Sequence, residues 1–326
     1  MTTRAVGADP RRILLERNHI PVAVLVAMPA IVESVPNFSE GRRQDVVEKI
    51  VHSIRSVPGI KVLDYEMDED HNRSVVTFTG GKDNIQEAAF RAARAATELI
   101  DLNKHKGEHP RIGALDVLPF VPISGVTMAD CVDIANKVGE RIARILKIPV
   151  YLYEAASRVP ERKNLENIRK GQFEGLRESI LKDDSKYPDF GPRKLHPTAG
   201  AMAVGARMPL IAFNVDLNST DVGVAKDIAR KIRTSSGGMP CVKALGFSLE
   251  HKHMVQVSMN LTDYTTTSVT KVFEAIKKEA SDRNVEIARS EIIGLLPLAA
   301  LCDVTSKYLM LSSFTPDQVL ERRIWG

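Results

Sequence analysis

The sequence predicts an α/β (α+β) chain of two ferredoxin-like subdomains, each a β-sheet covered by helices, with a ligand groove between them. Three observations carry this. From Ile31 the apolar positions switch between strand and helix periods in the order β-α-β-β-α. The same order returns from Leu210. Within these two runs, Pro58-Gly-Ile-Lys-Val-Leu-Asp-Tyr-Glu-Met67 aligns with Pro240-Cys-Val-Lys-Ala-Leu-Gly-Phe-Ser-Leu249 through a shared proline, lysine and leucine.

In the first half, residues 31–36 read as a short strand. Residues 44–54 read as a helix, because Val46, Val47, Ile50, Val51 and Ile54 share one face. Pro58-Gly59 breaks it. Residues 60–67 and 74–79 follow as two strands around an acidic turn, and Gly80-Gly81 ends the second. An alanine-rich stretch, 84–99, is made of strong helix formers. In the second half, residues 210–217 read as a strand and 222–232 as a helix. Residues 241–249 and 254–261 pair as strands, and 268–280 form another helix.

This divides the chain into an extension (1–30), a first subdomain with its connecting loop (31–206) and a second subdomain (207–326). In the extension, Arg11, Arg12 and Arg17 precede an apolar run from Ile20 to Ala30, superficially a secretory start. Pro21 and Pro29 interrupt that run, and the preferred reading is an over-extended start with Met28 as initiator. Residues 159–206 are polar and broken by Pro, Gly and Asp. Two glycines and three prolines within Tyr187-Pro-Asp-Phe-Gly-Pro-Arg-Lys-Leu-His-Pro-Thr-Ala-Gly200 exclude a regular helix, leaving a binding loop or a solvated linker.

The bulk numbers narrow the function classes. A chain of 326 residues with 44% hydrophobic and 26% charged residues is globular and large enough for two cores. Basic residues exceed acidic ones by 45 − 41, or +4, too little to suggest a nucleic-acid partner but compatible with a local basic groove. No stretch reaches the ~20 apolar residues of a membrane span. Cys131, Cys241 and Cys302 are scattered and form no C-x-x-C pair, which suits a reducing cytoplasm better than a disulfide framework or a cysteine zinc site.

His105-Lys-Gly-Glu-His109 matches the H-x-x-E-H zinc signature as a pattern. That spacing needs a helix, which puts i and i+4 on one face. Gly107 sits inside the stretch and Pro110 biases His109 away from the α region, so the segment is expected to be a loop. A surface loop or an acid–base loop remains, the latter because Lys106, Glu108, Arg111 and Asp116 could orient and tune an imidazole.

Several longer motifs occur in one order. They are Val32-Glu-Ser-Val-Pro-Asn-Phe-Ser-Glu-Gly41, Asn72-Arg73, His105-Lys-Gly-Glu-His-Pro-Arg111, Gly113-Ala-Leu-Asp-Val117, Pro149-Val-Tyr-Leu-Tyr153, Pro188-Asp-Phe-Gly-Pro192 and Leu210-Ile-Ala-Phe-Asn214. Together they resemble the glutamate formiminotransferase family, from about Ile31 to the C-terminus. The resemblance implies formimino transfer between N-formimino-L-glutamate and tetrahydrofolate, with folate as co-substrate, no metal, and a cytoplasmic homodimer. It places the catalytic histidine at His109. It places the folate-binding stretch at Gly191, Pro192, Arg193, Lys194, Leu195, His196, Pro197, Thr198, Ala199 and Gly200, which is more basic here than in the animal members and lacks their aromatic residue.

On that reading one imidazole with a near-neutral pKa takes a proton from the attacking nitrogen and returns it to the departing one, with Glu108 or Asp116 orienting the ring. Arg73, Lys106, Arg111, Arg193 and Lys194 are candidate partners for the carboxylates of glutamate and folate. Asn37 and Asn72 serve either as substrate hydrogen-bond partners or as turn residues. A metal hydrolase using His105 and His109, or a folate-binding protein without turnover, are the alternatives.

Overall fold

The structure, a computed structural model, describes residues 29–69, 71–107, 109–249 and 252–325. Residues 1–28, and with them almost all of the extension, lie outside the described residues.

The first unit opens with β1 (Ile31–Ser34) and β2 (Asn37–Phe38), which lie on one path interrupted at Pro36. The expected single strand is therefore two, because proline cannot donate to a ladder. Helix α1 (Gln44–Arg55) follows, then β3 (Lys61–Asp68), β4 (Arg73–Gly80), α2 (Lys82–Leu99) and β5 (Leu115–Ser124). β5 lies antiparallel to β1 and β2, which lie antiparallel to β4, which lies antiparallel to β3. In chain order this is the 4-1-3-2 arrangement of a split-βαβ unit. Helix α3 (Met128–Leu146), started by a Thr127–Asp130 capping box, then leads to β6 (Val150–Glu154).

The connecting segment departs most from expectation. It carries α4 (Leu165–Arg169) and α5 (Gln172–Lys182) and ends in β7 (Met202–Ala206), which inserts between β5 and β6, parallel to both. β7 is an interior strand, Met-Ala-Val-Gly-Ala, buried throughout, so it shows no alternation for a sequence pattern to catch. The α1, α2 and α3 helices cover one face of this sheet around Phe38, Ile50, Phe78 and Leu118. The connecting segment covers part of the other, packing Ile168, Phe173 and Leu176 on Val117, Tyr151 and Tyr153.

The second unit repeats the plan: β8 (Ile211–Leu217), α6 (Val222–Ile232), β9 (Val242–Leu249), β10 (Met254–Leu261), α7 (Val269–Ser281) and β11 (Ile287–Ile293). Its sheet runs β11-β8-β10-β9, again 4-1-3-2 and antiparallel throughout. Alternation decides its faces: Phe213, Val215, Val257 and Met259 pack with α6 and α7, while Asn214, Asp216, Gln256 and Glu291 bond to one another on the other face. Helices α8 (Leu298–Tyr308) and α9 (Leu320–Trp325) finish the chain. Lys243 of the second unit reaches Glu166 (3.4 Å) and Glu154 (3.9 Å) of the first. Among the described residues no helix is long and apolar enough to cross a membrane.

Candidate functional site

The site is organised around Asp116. β2 pairs Phe38 with Leu115 but Asn37 with Val117, so Asp116 is the extra residue of a β-bulge. The bulge leaves its carboxylate wholly buried, where Oδ1 accepts the Ile112 N–H (2.8 Å). Oδ2 receives two guanidiniums: Arg73 through Nη1 (3.2 Å) and Arg169 through Nη2. Burial alone would raise the Asp116 pKa, yet the two arginines hold it below the usual carboxylate value. Arg73 also donates from Nε (3.2 Å) and Nη2 (2.6 Å) to the Asn37 side-chain oxygen. Burial and the neighbouring Arg169 lower its own pKa to about 10, so it stays charged at neutral pH.

His109 stands against this cluster. Its Nδ1 lies 2.8 Å from the Pro110 carbonyl oxygen and 3.1 Å from Arg73 Nη1. A carbonyl only accepts and a guanidinium only donates, so the Pro110 contact calls for a proton on Nδ1 and the Arg73 contact for a lone pair there; the shorter Pro110 contact favours the Nδ1–H tautomer, with the lone pair on Nε2. Burial, reinforced by Arg73 and Arg169, lowers the His109 pKa to about 3. The near-neutral value expected from the sequence is not found. Burial is the larger cause, and two cations set against one carboxylate add to it. Asp116 does not touch the ring as an orienter; Arg73 lies between them and the Pro110 carbonyl holds the imidazole. Glu108, the other expected orienter, lies outside the described residues.

Residues 105–107 and 109 form no helix, as the Gly and Pro of this stretch require. A Cβ on Gly107 would stand 2.3 Å from the His71 carbonyl oxygen, so only glycine lets the loop lie against the β3–β4 turn. His105 faces Asn72, whose carbonyl it meets through Nε2 (2.9 Å), and its Nδ1 accepts from Arg111 Nε (3.0 Å). With both nitrogens occupied it is a structural brace, and the metal pair proposed for His105 and His109 has no geometric support.

The remaining predicted residues divide sharply. Asn72 adopts φ +46° and ties three loops together, accepting from the Gly41 N–H (2.9 Å) and donating to the Lys106 carbonyl (3.0 Å). Arg111 is no free carboxylate binder: it forms a two-pronged pair with Glu174 (2.6 and 3.0 Å) and also donates to Gln172 and His105. The Lys106 side chain is exposed. Sequence reasoning missed Arg169, because nothing in Leu165-Glu-Asn-Ile-Arg169 marks it; only folding of the connecting segment onto the sheet brings it to Asp116. It also missed His71, whose ring lies edge-on to His109 with centroids 6.1 Å apart.

The stretch from Gly191 to Gly200 is anchored under the histidine loop. The Leu102 N–H donates to the Thr198 carbonyl and the Ala114 N–H to that of Ala199, while Gly200 bridges Gly113. His196 Nδ1 accepts the Ala199 N–H (3.0 Å), closing a tight turn whose Pro197 carbonyl receives the Asn103 side chain. Leu195 is buried, whereas Gly191, Pro192 and Lys194 are exposed. Arg193 turns away to the Ile180 carbonyl (2.8 Å) and Asp184 (2.7 Å). A 570 Å³ cleft opens beside this stretch, lined by Glu40, Arg43, Asn72, His105 and Thr198 among others. His109 does not line it, so the chemistry is read from the Arg73–Asp116–Arg169 cluster, not from this cleft.

The site thus sets a neutral imidazole beside a guanidinium pair in a chain of two α/β units. The formiminotransferase domain, N-terminal subdomain, matches residues 31–207, and the formiminotransferase domain matches residues 212–317. A glutamate formimidoyltransferase of Streptococcus pyogenes serotype M1 is 50% identical over 92% of this chain and all of its own length. One of Thermoplasma acidophilum is 46% identical over 90% of this chain and 97% of its own. The formimidoyltransferase-cyclodeaminase of Mus musculus is 44% identical over 86% of this chain, which spans 53% of that protein. The chain belongs to the formiminotransferase family.

Proposed function

We propose that this chain transfers a formimino group between N-formimino-L-glutamate and tetrahydrofolate, with His109 as the proton carrier. N5 of tetrahydrofolate attacks the formimino carbon and its proton passes to His109 Nε2. The imidazolium returns that proton to the glutamate nitrogen as the old C–N bond breaks, giving 5-formiminotetrahydrofolate and glutamate. The observation that carries the reading is the imidazole of His109, held by the Pro110 contact beside the Arg73–Asp116–Arg169 cluster. The names of the bacterial and archaeal relatives support the substrates.

The same reading places folate along residues 191–200, where exposed Lys194 is available to its glutamyl tail. It divides the enzyme at about residue 206, the end of β7. The three free thiols suit a cytoplasmic setting, and exposed Tyr308, Leu309 and Met310 are apolar surface suited to a homodimer. Release of glutamate from N-formimino-L-glutamate on addition of tetrahydrofolate tests the activity. His109→Gln is expected to lower turnover by about 10² to 10⁴. Near-wild-type turnover in that variant overturns the role given to His109.

A further inference from the structure

Two guanidiniums converge on one oxygen of Asp116, while its other oxygen is taken by the Ile112 N–H. No other described carboxylate lies within ion-pairing distance of Arg73 or Arg169, so among the described residues the cluster holds one positive charge without a partner. Arg169 is also the less satisfied of the two. Its Nε is buried with no hydrogen-bond partner among the described residues, although its Nη2 holds Asp116. Arg111, by contrast, has Glu174, Gln172 and His105 around it. Buried donors are left unpaired rarely, and an unpaired one beside a surplus charge is suited to a ligand carboxylate.

We infer that Arg169, acting with Arg73, receives the α-carboxylate of the amino-acid partner and so sets the reacting nitrogen against His109. This rests on the formimino-transfer reading. The choice of carboxylate follows from connectivity: the α-carboxylate is one carbon from the nitrogen whose proton His109 handles, and the γ-carboxylate is further along the chain. Arg73 Nη1 stands 3.1 Å from the imidazole, so an anion seated on the arginine pair lies next to the ring. The helix that carries Arg169 is well placed for this work. Ile168 anchors it in the first unit, and Glu166 on the same helix meets Lys243 of the second. Substrate held by Arg169 is therefore linked to the junction of the two units.

The test compares N-formimino-L-glutamate with its α-carboxamide and γ-carboxamide analogues in wild type, Arg169→Gln and Arg169→Lys. Wild type is expected to prefer the α-carboxylate over the α-amide by about 30-fold or more, the effect of leaving a hydrogen-bonded charge unpaired. Arg169→Gln should reduce that preference to a few-fold, raise the KM for N-formimino-L-glutamate and leave preference at the γ position and the KM for tetrahydrofolate unchanged. Arg169→Lys, which keeps the charge but lacks Nε, should fall between. An unchanged α preference in Arg169→Gln, or equal losses at both positions, overturns the assignment while the transfer reading stands. Calorimetric binding of L-glutamate tests Arg169 without turnover: weakened binding in Arg169→Gln supports the contact and unchanged binding refutes it. An inactive wild type would count against the transfer reading alone.

Discussion

Replacing Asp116 with asparagine removes the only described counter-charge between Arg73 and Arg169 while keeping the side chain's shape. The amide oxygen can still accept the Ile112 N–H, so the loss is electrostatic rather than steric. Breaking a buried ion pair by removing one partner costs ~3–5 kcal/mol. Here the arginine side chains remain 12% and 13% exposed, and water can reach them, so the lower end, about 3 kcal/mol, is expected. That is a large part of the ~5–15 kcal/mol that holds an ordinary domain together. Urea unfolding at neutral pH measures it, with an unchanged m-value showing that the same surface unfolds. The pH dependence has a definite sign. Asp116 has a folded pKa below its ordinary 3.8, so its stabilisation is fully present above that value and is lost as pH falls through the folded one. The gap between wild type and variant should thus be level from neutral pH to about 5 and narrow only in stronger acid. Adding Arg169→Gln should recover more than about 1 kcal/mol by removing one of the two facing cations. A penalty under about 1 kcal/mol for Asp116→Asn, or no recovery in the double variant, would refute the counter-charge argument.

Other changes test separate parts of the molecule. Gly107→Ala should lower kcat by about 10² or more, since a Cβ 2.3 Å from the His71 carbonyl must displace the histidine loop; activity within a few-fold of wild type would show that the loop yields freely. In the free enzyme the His109 ring, with a pKa of about 3, should show no titration near pH 6.5 by NMR, and kcat/KM should lack an acid limb there; a ring titrating near 6.5 would contradict its burial beside the two arginines. Arg111→Lys should destabilise the protein by about 1–3 kcal/mol in urea unfolding, because lysine cannot reproduce the forked contact with Glu174. Buried Cys131, its thiol pushed up to about 11, should resist a thiol reagent in the native protein while half-buried Cys241 reacts first; rapid modification of Cys131 would argue against the packing of α3.

How much of this was legible in the sequence depends on what each signal measures. Helices α1 and α6 were readable to within a residue because each presents one apolar stripe to its sheet. Strands β8, β9 and β10 were equally plain, since β8 and β10 alternate between a packed and a polar face, whereas β11 was not read from the sequence. β7 was hidden for the opposite reason: a strand buried on both faces has nothing to alternate, and Met-Ala-Val-Gly-Ala follows a run of turn residues. At the site, the loop around His109 could be read from Gly107 and Pro110, because both act on the backbone locally. Arg111 and Arg169 could not be told apart, since the difference lies in distant partners: Glu174 occupies the first, and Asp116 draws in the second.

The place of Asp116 has a chemical consequence that a direct contact with the ring would not have. An aspartate bonded to His109 would favour the imidazolium at all times and leave a weaker drive to take a proton on demand. Here the carboxylate acts through Arg73, and burial together with the cations nearest the imidazole among the described residues keeps it neutral. Any anion that settles on the guanidinium pair offsets those cations and raises the basicity of Nε2 at the moment the site is filled. Base strength is then tied to occupancy. The acid limb of kcat, which reports the filled site, should lie at higher pH than that of kcat/KM, which reports the empty one. Coincident limbs would mean that the bound anion does not face the arginines.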